Sequence, residues 1–121
     1  MKIFLTGASG FVGANMARRL LKEGHELHVS VRRTTNLWRL EDIRNDIIIH
    51  ELDLLDFPAL SKAMEQFSPQ GIIHMATYGA YPTMQNDLQK IVDTNLLGTI
   101  NLVRATDKIR YECFINTSSS S

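Results

Sequence analysis

The chain has 121 residues, 44% hydrophobic and 21% charged, without a low-complexity tract; this composition describes one folded domain and excludes an intrinsically disordered chain. Thirteen Lys and Arg balance thirteen Asp and Glu for a formal net charge of zero, so no global field recruits nucleic acid or an anionic membrane. A single Cys113 rules out an internal disulfide, and Met1-Lys2 leads straight into a strand-like run without a signal peptide or bilayer-spanning stretch, which reads as a cytoplasmic protein.

Ile3-Phe4-Leu5 is a compact apolar run ending at Thr6-Gly7. Beyond it Val12, Met16, Ala17, Leu20 and Leu21 recur at helical spacing until Gly24 offers a C-cap. Leu27, Val29 and Val31 alternate as a second strand, followed by a weakly periodic segment around Asn36 to Leu40. Ile47-Ile48-Ile49 reads as a third strand apolar on both faces, as strands covered by helices on two sides are. Asp56 caps the next helix, with Pro58 in its first turn and Phe57, Leu60, Met64 and Phe67 on one face. Ser68 to Gly71 breaks that helix before a fourth strand, Ile72 to Met75.

A loop with Gly79 and Pro82 leads to a long helix carrying Leu88, Val92, Leu96, Ile100 and Val103, then a fifth strand at Cys113-Phe114-Ile115, where Cys113 reads as a buried small hydrophobe. Crossovers of this length return each strand to the same end of the sheet. They predict one α/β domain over residues 1–121, a doubly wound parallel sheet (Rossmann fold) ordered 3-2-1-4-5.

"TGASGFVG" sets Gly7, Gly10 and Gly13 between the first strand and the first helix. In that context Gly7 permits a sharp turn, Gly10 lets a pyrophosphate approach the backbone, and Gly13 lets the helix pack closely on the sheet. The helix N-terminus supplies free N–H donors and a partial positive charge. Ser9, Phe11 and Val12 complete the expected phosphate loop. No Gly-Lys-Ser/Thr follows, so a P-loop is excluded.

The GxxGxxG spacing, with "LDLLD" at 52–56, "IIHMAT" at 72–77, "NLLGTINL" at 95–102 and "FINTSSSS" at 114–121, resembles the N-terminal part of an extended short-chain dehydrogenase/reductase of the nucleotide-sugar epimerase/dehydratase family. The resemblance implies that Asp53 holds the adenine amino group and Leu54 borders the ring. It implies that Met75, Ala76 and Thr77 line the nicotinamide ribose, with Thr77 departing from the family's second alanine. It also implies that Asn95 supports the active-site hydrogen-bond network and that Gly98 allows close packing on the sheet. His74 reads as structural. His25 and His28 fall on opposite faces of a strand with no ligand cluster near them, so no metal is expected.

At the end of strand two an acid would hold a ribose 2′-OH and an Arg a 2′-phosphate. Arg32 and Arg33 stand there without an acid, which favours NADP over NAD, although a backbone or serine contact would still accept NAD. The catalytic hydroxyl implied by the family falls on Ser119, with Ser120 as the alternative. Its acid/base partner is a Tyr with a Lys four residues on. Tyr78 is followed at that distance by Pro82, Tyr81 by Gln85 and Tyr111 by Ile115.

The expectation is therefore a cofactor-binding N-terminal fragment, cut after the fifth strand and inactive by itself. Its parent would be a nucleotide-sugar epimerase, dehydratase or 4-keto-reductase that works as a homo-oligomer, with Tyr78 to Thr83 bordering the sugar. "RRTTNLWRL" and "YGAYP" resemble both the reductases and the epimerases. A non-catalytic dinucleotide sensor and a reductase of a small non-sugar carbonyl are the alternatives.

Overall fold

The computed structural model describes residues 1–118. Five parallel strands, β1 (Lys2–Thr6), β2 (Glu26–Val31), β3 (Ile48–Glu51), β4 (Gly71–His74) and β5 (Cys113–Asn116), form one sheet in the predicted order β3-β2-β1-β4-β5. Central β1 sets Leu5 beside Val29 of β2 on one side and Ile73 of β4 on the other.

Side chains alternate across the pleat, so two cores form. Ile3, Leu5, Leu27, Val29 and Ile73 meet Ala14, Ala17 and Leu20 of α1 (Phe11–Lys22) and Leu40 of a 3₁₀ segment (Trp38–Asp46). Phe4 and Ile72 meet Leu60 and Met64 of α2 (Phe57–Phe67) and Leu102 and Ala105 of α4 (Gly98–Ala105). Arg18 grips both carboxylate oxygens of Asp42, at 2.9 and 2.6 Å, and so ties α1 to the 3₁₀ segment.

Helix ends follow the residues that flank them. Gly24, at φ +86°, lets its own N–H reach the Leu21 carbonyl and the His25 N–H reach that of Leu20, a Schellman stop for α1. Asp56 Oδ1 accepts the Ala59 N–H at 3.2 Å and starts α2.

Several expectations need correction. The third strand is Ile48–Glu51, an edge strand whose side chains are half-buried or exposed, because only β2 pairs with it; Ile47, just before it, is the buried isoleucine. The fourth strand begins at Gly71 and ends at His74. Cys113 is half-buried.

The long helix is not uniform: α3 (Leu88–Val92) passes through a π-helical turn (Asp93–Leu97) into α4. The stripe Leu88, Val92, Leu96, Ile100 and Val103 is exposed, and the helix buries Gly98, Leu102 and Ala105 instead, because these face α2 and the sheet. Gly98 serves close packing, but against Leu54 in the loop after β3, whose Cβ would lie 3.3 Å from an added methyl.

On the α2 side of the sheet, the rings of His28, His50 and Phe67 stack with centroids 4.6–5.0 Å apart. His28 meets His50 Nε2 at 2.7 Å and Glu26 Oε1 at 2.7 Å. Burial and then the neighbouring His28 hold His50 below its ordinary 6.5, and burial holds His74 below it too. The hydrogen bond from His28 holds Glu26 below its ordinary 4.5.

The unfolded chain thus takes up protons at these histidines before the folded one does. Their contribution to stability is complete above 6.5 and is lost as pH falls below it. That of Glu26 is present above 4.5 and is lost as pH falls through its lower folded value. Urea midpoints should drop between about pH 7.5 and about pH 5.5, and less steeply in His50→Phe; equal slopes in the two proteins would contradict this.

Candidate functional site

A cleft of about 750 Å³ opens along the C-terminal edge of the strands, the place where doubly wound sheets bind dinucleotides. The loop after β1 contributes Gly7, Ser9 and Gly10, and that after β2 contributes Arg32, Thr34, Thr35 and Asn36. The loop after β3 adds Leu52, Asp53, Leu54 and Leu55, and that after β4 adds Met75, Ala76 and Thr77. The start of α3 closes one side with Asp87, Gln89 and Lys90, followed by Asp93 and Thr94.

The glycine loop separates what the fold requires from what it does not. Gly7 has φ +75°, and a methyl on it would lie 2.6 Å from the Met75 carbonyl carbon and 2.7 Å from the Ala76 nitrogen. A methyl on Gly13 would overlap the Gly7 carbonyl. Gly10 has an ordinary φ of −76° and would meet only Gly7 O, at 3.4 Å. Its missing side chain is not explained by the chain's own packing, yet it lines the cleft at the N-terminus of the 12-residue α1, whose first turn has no side-chain cap and no acid. A backbone left bare beside free N–H groups suits a pyrophosphate, so the residues present fit a dinucleotide.

Not every expected residue lines the cleft. Phe11 and Val12 are exposed beside it, and Gly13 packs α1 against Gly7. Arg32 lines the cleft, its backbone set by a turn in which its N–H donates to Thr35 Oγ1 at 3.0 Å. Arg33 instead lines a shallow adjoining recess with Glu51, Asp53 and Asp56. Asp53 borders both recesses and accepts the Leu55 N–H on Oδ1 at 2.9 Å. Asn95 stands behind the cleft: it accepts the Tyr78 N–H at 2.9 Å and donates to the Tyr78 carbonyl at 2.8 Å. Ser119 and Ser120 lie outside the described residues.

Sequence reasoning missed four residues. Arg39 stacks 4.4 Å over Trp38 and donates to the Ser9 carbonyl at 3.3 Å; both line the cleft and are signalled only by the aromatic–arginine pair in a segment of weak periodicity. Lys90 lies 4.4 Å over the Tyr78 ring on the opposite wall. Thr6, fully buried, binds His74 Nδ1 at 2.7 Å and the Met75 and Ala76 N–H groups at 3.1 Å each. His74 is 2% exposed, and its Nε2 meets Thr99 Oγ1 at 2.8 Å. Among the described residues no three His, Cys, Asp or Glu side chains cluster as metal ligands would, and no helix is long and apolar enough to cross a membrane.

A parallel sheet in this order, with a glycine loop at its first crossover and a cleft along the strand ends, defines an α/β protein of the doubly wound class. The chain belongs to the NAD dependent epimerase/dehydratase family, whose sequence model matches residues 3–121. It is 32% identical over 113 residues to tetraketide alpha-pyrone reductase 1 of Arabidopsis thaliana, covering 88% of this chain and 34% of that protein.

Among solved structures it superposes on the UDP-Glc/GlcNAc 4-epimerase of Campylobacter jejuni with a TM-score of 0.86 and 28% identity, covering 98% of this chain and 37% of that one. The Bordetella bronchiseptica enzyme WbmG in complex with NAD gives 0.81 and 27%, covering 96% and 36%. The chain spans about a third of the length of the curated relatives it matches.

Proposed function

We propose that residues 1–121 form the dinucleotide-binding part of an NAD(P)-dependent enzyme that exchanges hydride between nicotinamide and the carbinol carbon of a nucleotide sugar. The observation that carries this reading is Gly10, a glycine the fold does not need, facing a cleft at an uncapped helix N-terminus. Asp53 and Leu54 would receive the adenine, and Met75, Ala76 and Thr77 the nicotinamide ribose. Similarity to epimerases of nucleotide sugars supports the substrate class. Similarity to the Arabidopsis reductase supports a second reading, reduction of a non-sugar carbonyl on the same cofactor.

NADP is the favoured cofactor. Arg32 would take the 2′-phosphate, and Arg39 rather than Arg33 is the second guanidinium on the cleft wall. Fork-like donors match phosphate geometry, and their attraction to it is screened by salt. NADPH should bind more tightly than NADH, by roughly tenfold for one charge-assisted contact, with the preference shrinking in Arg32→Ala and at high salt. Calorimetric titration of both cofactors tests this; equal affinities, or a preference for NADH, would leave the arginines as surface charges.

The same reading includes self-association. Leu88, Val92, Leu96, Ile100 and Val103 are exposed along one helix, and β5 is a sheet edge with Ile115 exposed. Contiguous apolar surface and unpaired strand edges favour association. Light scattering should give a mass above that of the monomer at high concentration, and a monomer mass would count against it.

A further inference from the structure

Thr6, His74, Thr99 and Asn95 come from β1, β4 and the long helix, and the proposed function assigns His74 and Thr99 no role. A threonine hydroxyl has one proton to give and two lone pairs to receive with. The Met75 and Ala76 N–H groups, each 3.1 Å away, take both lone pairs of Thr6. Its proton therefore goes to His74 Nδ1, at 2.7 Å.

With Nδ1 an acceptor, the proton of the neutral imidazole sits on Nε2 and is donated to Thr99 Oγ1 at 2.8 Å. Thr99 in turn donates to the Asn95 main-chain carbonyl at 3.0 Å, one turn back along the helix, while the Asn95 side-chain amide is left to hold Tyr78. The reverse direction fails at Thr6, which would then receive three protons on two lone pairs. An imidazolium fails in the same way at Thr6.

Each end of this chain of bonds holds backbone. At one end, Thr6 fixes the N–H groups of Met75 and Ala76, which line the cleft. At the other, Asn95 clamps the N–H and carbonyl of Tyr78 from within the π-helical turn, a distortion that recurs at functional sites. Tyr78 in turn carries Lys90 on its ring face, and Lys90 lines the cleft. The groups that face the His74 ring from β1 and the long helix, Thr6 and Thr99, are uncharged.

We infer that His74 is a positioning residue which, as the Nε2–H tautomer, couples the two walls of the cleft through the one-way chain Thr6→His74→Thr99→Asn95. The Met75–Ala76 backbone and the Tyr78 loop are then set together rather than separately. For its effect on a ligand, this coupling rests on the reading that the cleft holds a dinucleotide.

Two measurements on the ligand-free chain test the coupling and do not depend on that reading. ¹⁵N spectra of the imidazoles should show His74 with a bare Nδ1 and a protonated Nε2; the opposite tautomer would overturn the chain. Amide hydrogen exchange at Met75 and Ala76 should accelerate by roughly tenfold in Thr99→Val, which keeps the volume and removes one hydrogen-bonded link, and should return near wild type in Thr99→Ser. Acceleration confined to the helix and Tyr78, with Met75 and Ala76 unchanged in folded Thr99→Val, would also overturn it.

A third measurement is NADPH affinity, which should fall by roughly tenfold in Thr99→Val and recover in Thr99→Ser. If wild type binds neither NADPH nor NADH, the dinucleotide reading falls while spectra and exchange still decide the coupling. If wild type binds and Thr99→Val binds equally well, the coupling falls alone.

Discussion

Gly13→Ala is expected to remove most of the chain's stability, whereas Gly10→Ala, three positions earlier, leaves it within about 1 kcal/mol of wild type. The new methyl at position 13 would overlap the Gly7 carbonyl oxygen and lie 2.7 Å from its carbon and 3.0 Å from the Ala8 Cα. All three are backbone atoms, so relief requires α1 to lift off the sheet. That movement uncovers Ala14, Ala17 and Leu20, which seal one of the two cores.

The cost should be at least about 4 kcal/mol, a large share of the roughly 5–15 kcal/mol by which a domain is stable. Gly7→Ala should cost as much, from the Met75–Ala76 backbone and a positive φ together. Gly10→Ala instead should weaken dinucleotide binding by roughly tenfold or more, because its methyl points where the fold leaves room. Urea unfolding with cofactor titration separates these outcomes. A stable Gly13→Ala, or a Gly10→Ala variant that binds as well as wild type, would break the division between structural and ligand-facing glycines.

The 121-residue chain should bind cofactor without measurable hydride transfer. A longer chain carrying the family's Tyr-x-x-x-Lys should gain activity, and Ser119→Ala in that longer chain should then lose about 10²-fold or more. None of the three tyrosines has a lysine four positions on. A hydroxyl without its acid/base neighbour can orient a sugar oxygen but cannot move the carbinol proton at a useful rate. Stopped-flow or steady-state absorbance of NADPH with a panel of nucleotide sugars measures both halves; turnover by the 121-residue chain alone would contradict the account.

Strand order and the position of the cleft were legible because they follow from local signals that agree. Alternation of short apolar runs with helical periods forces parallel crossovers, and the glycine triplet marks the first of them. Even the roles of Gly7 and Gly13 could be read, since a turn and a close helix approach are backbone requirements.

What escaped the sequence depends on which neighbour a side chain meets. The stripe from Leu88 to Val103 is apolar at helical spacing, but periodicity does not say which of two weakly apolar faces lies against α2; the buried face is that of Leu102, where the small Gly98 and Ala105 beside it allow the closer approach. Ile47 to Ile49 looked covered on both faces, yet an edge strand has only one partner. Arg39 went unread because it reaches the cleft wall through the 3₁₀ segment rather than from the end of β2, where sequence points to Arg32 and Arg33. The hydrogen-bond partners of His74 were not legible, since groups 25 and 68 residues away cannot be counted from a motif.

The central claim is that the cleft beside Gly10 is a dinucleotide site. Titrating NADPH, and NADH in a parallel series, into ¹⁵N-labelled chain tests it most directly. Saturable shifts at the amides of Gly10, Phe11, Val12, Asp53 and Ala76, with His25 and Lys108 at the far end of the sheet unmoved, is the result expected. No saturable shift, or shifts centred away from the glycine loop, would contradict it.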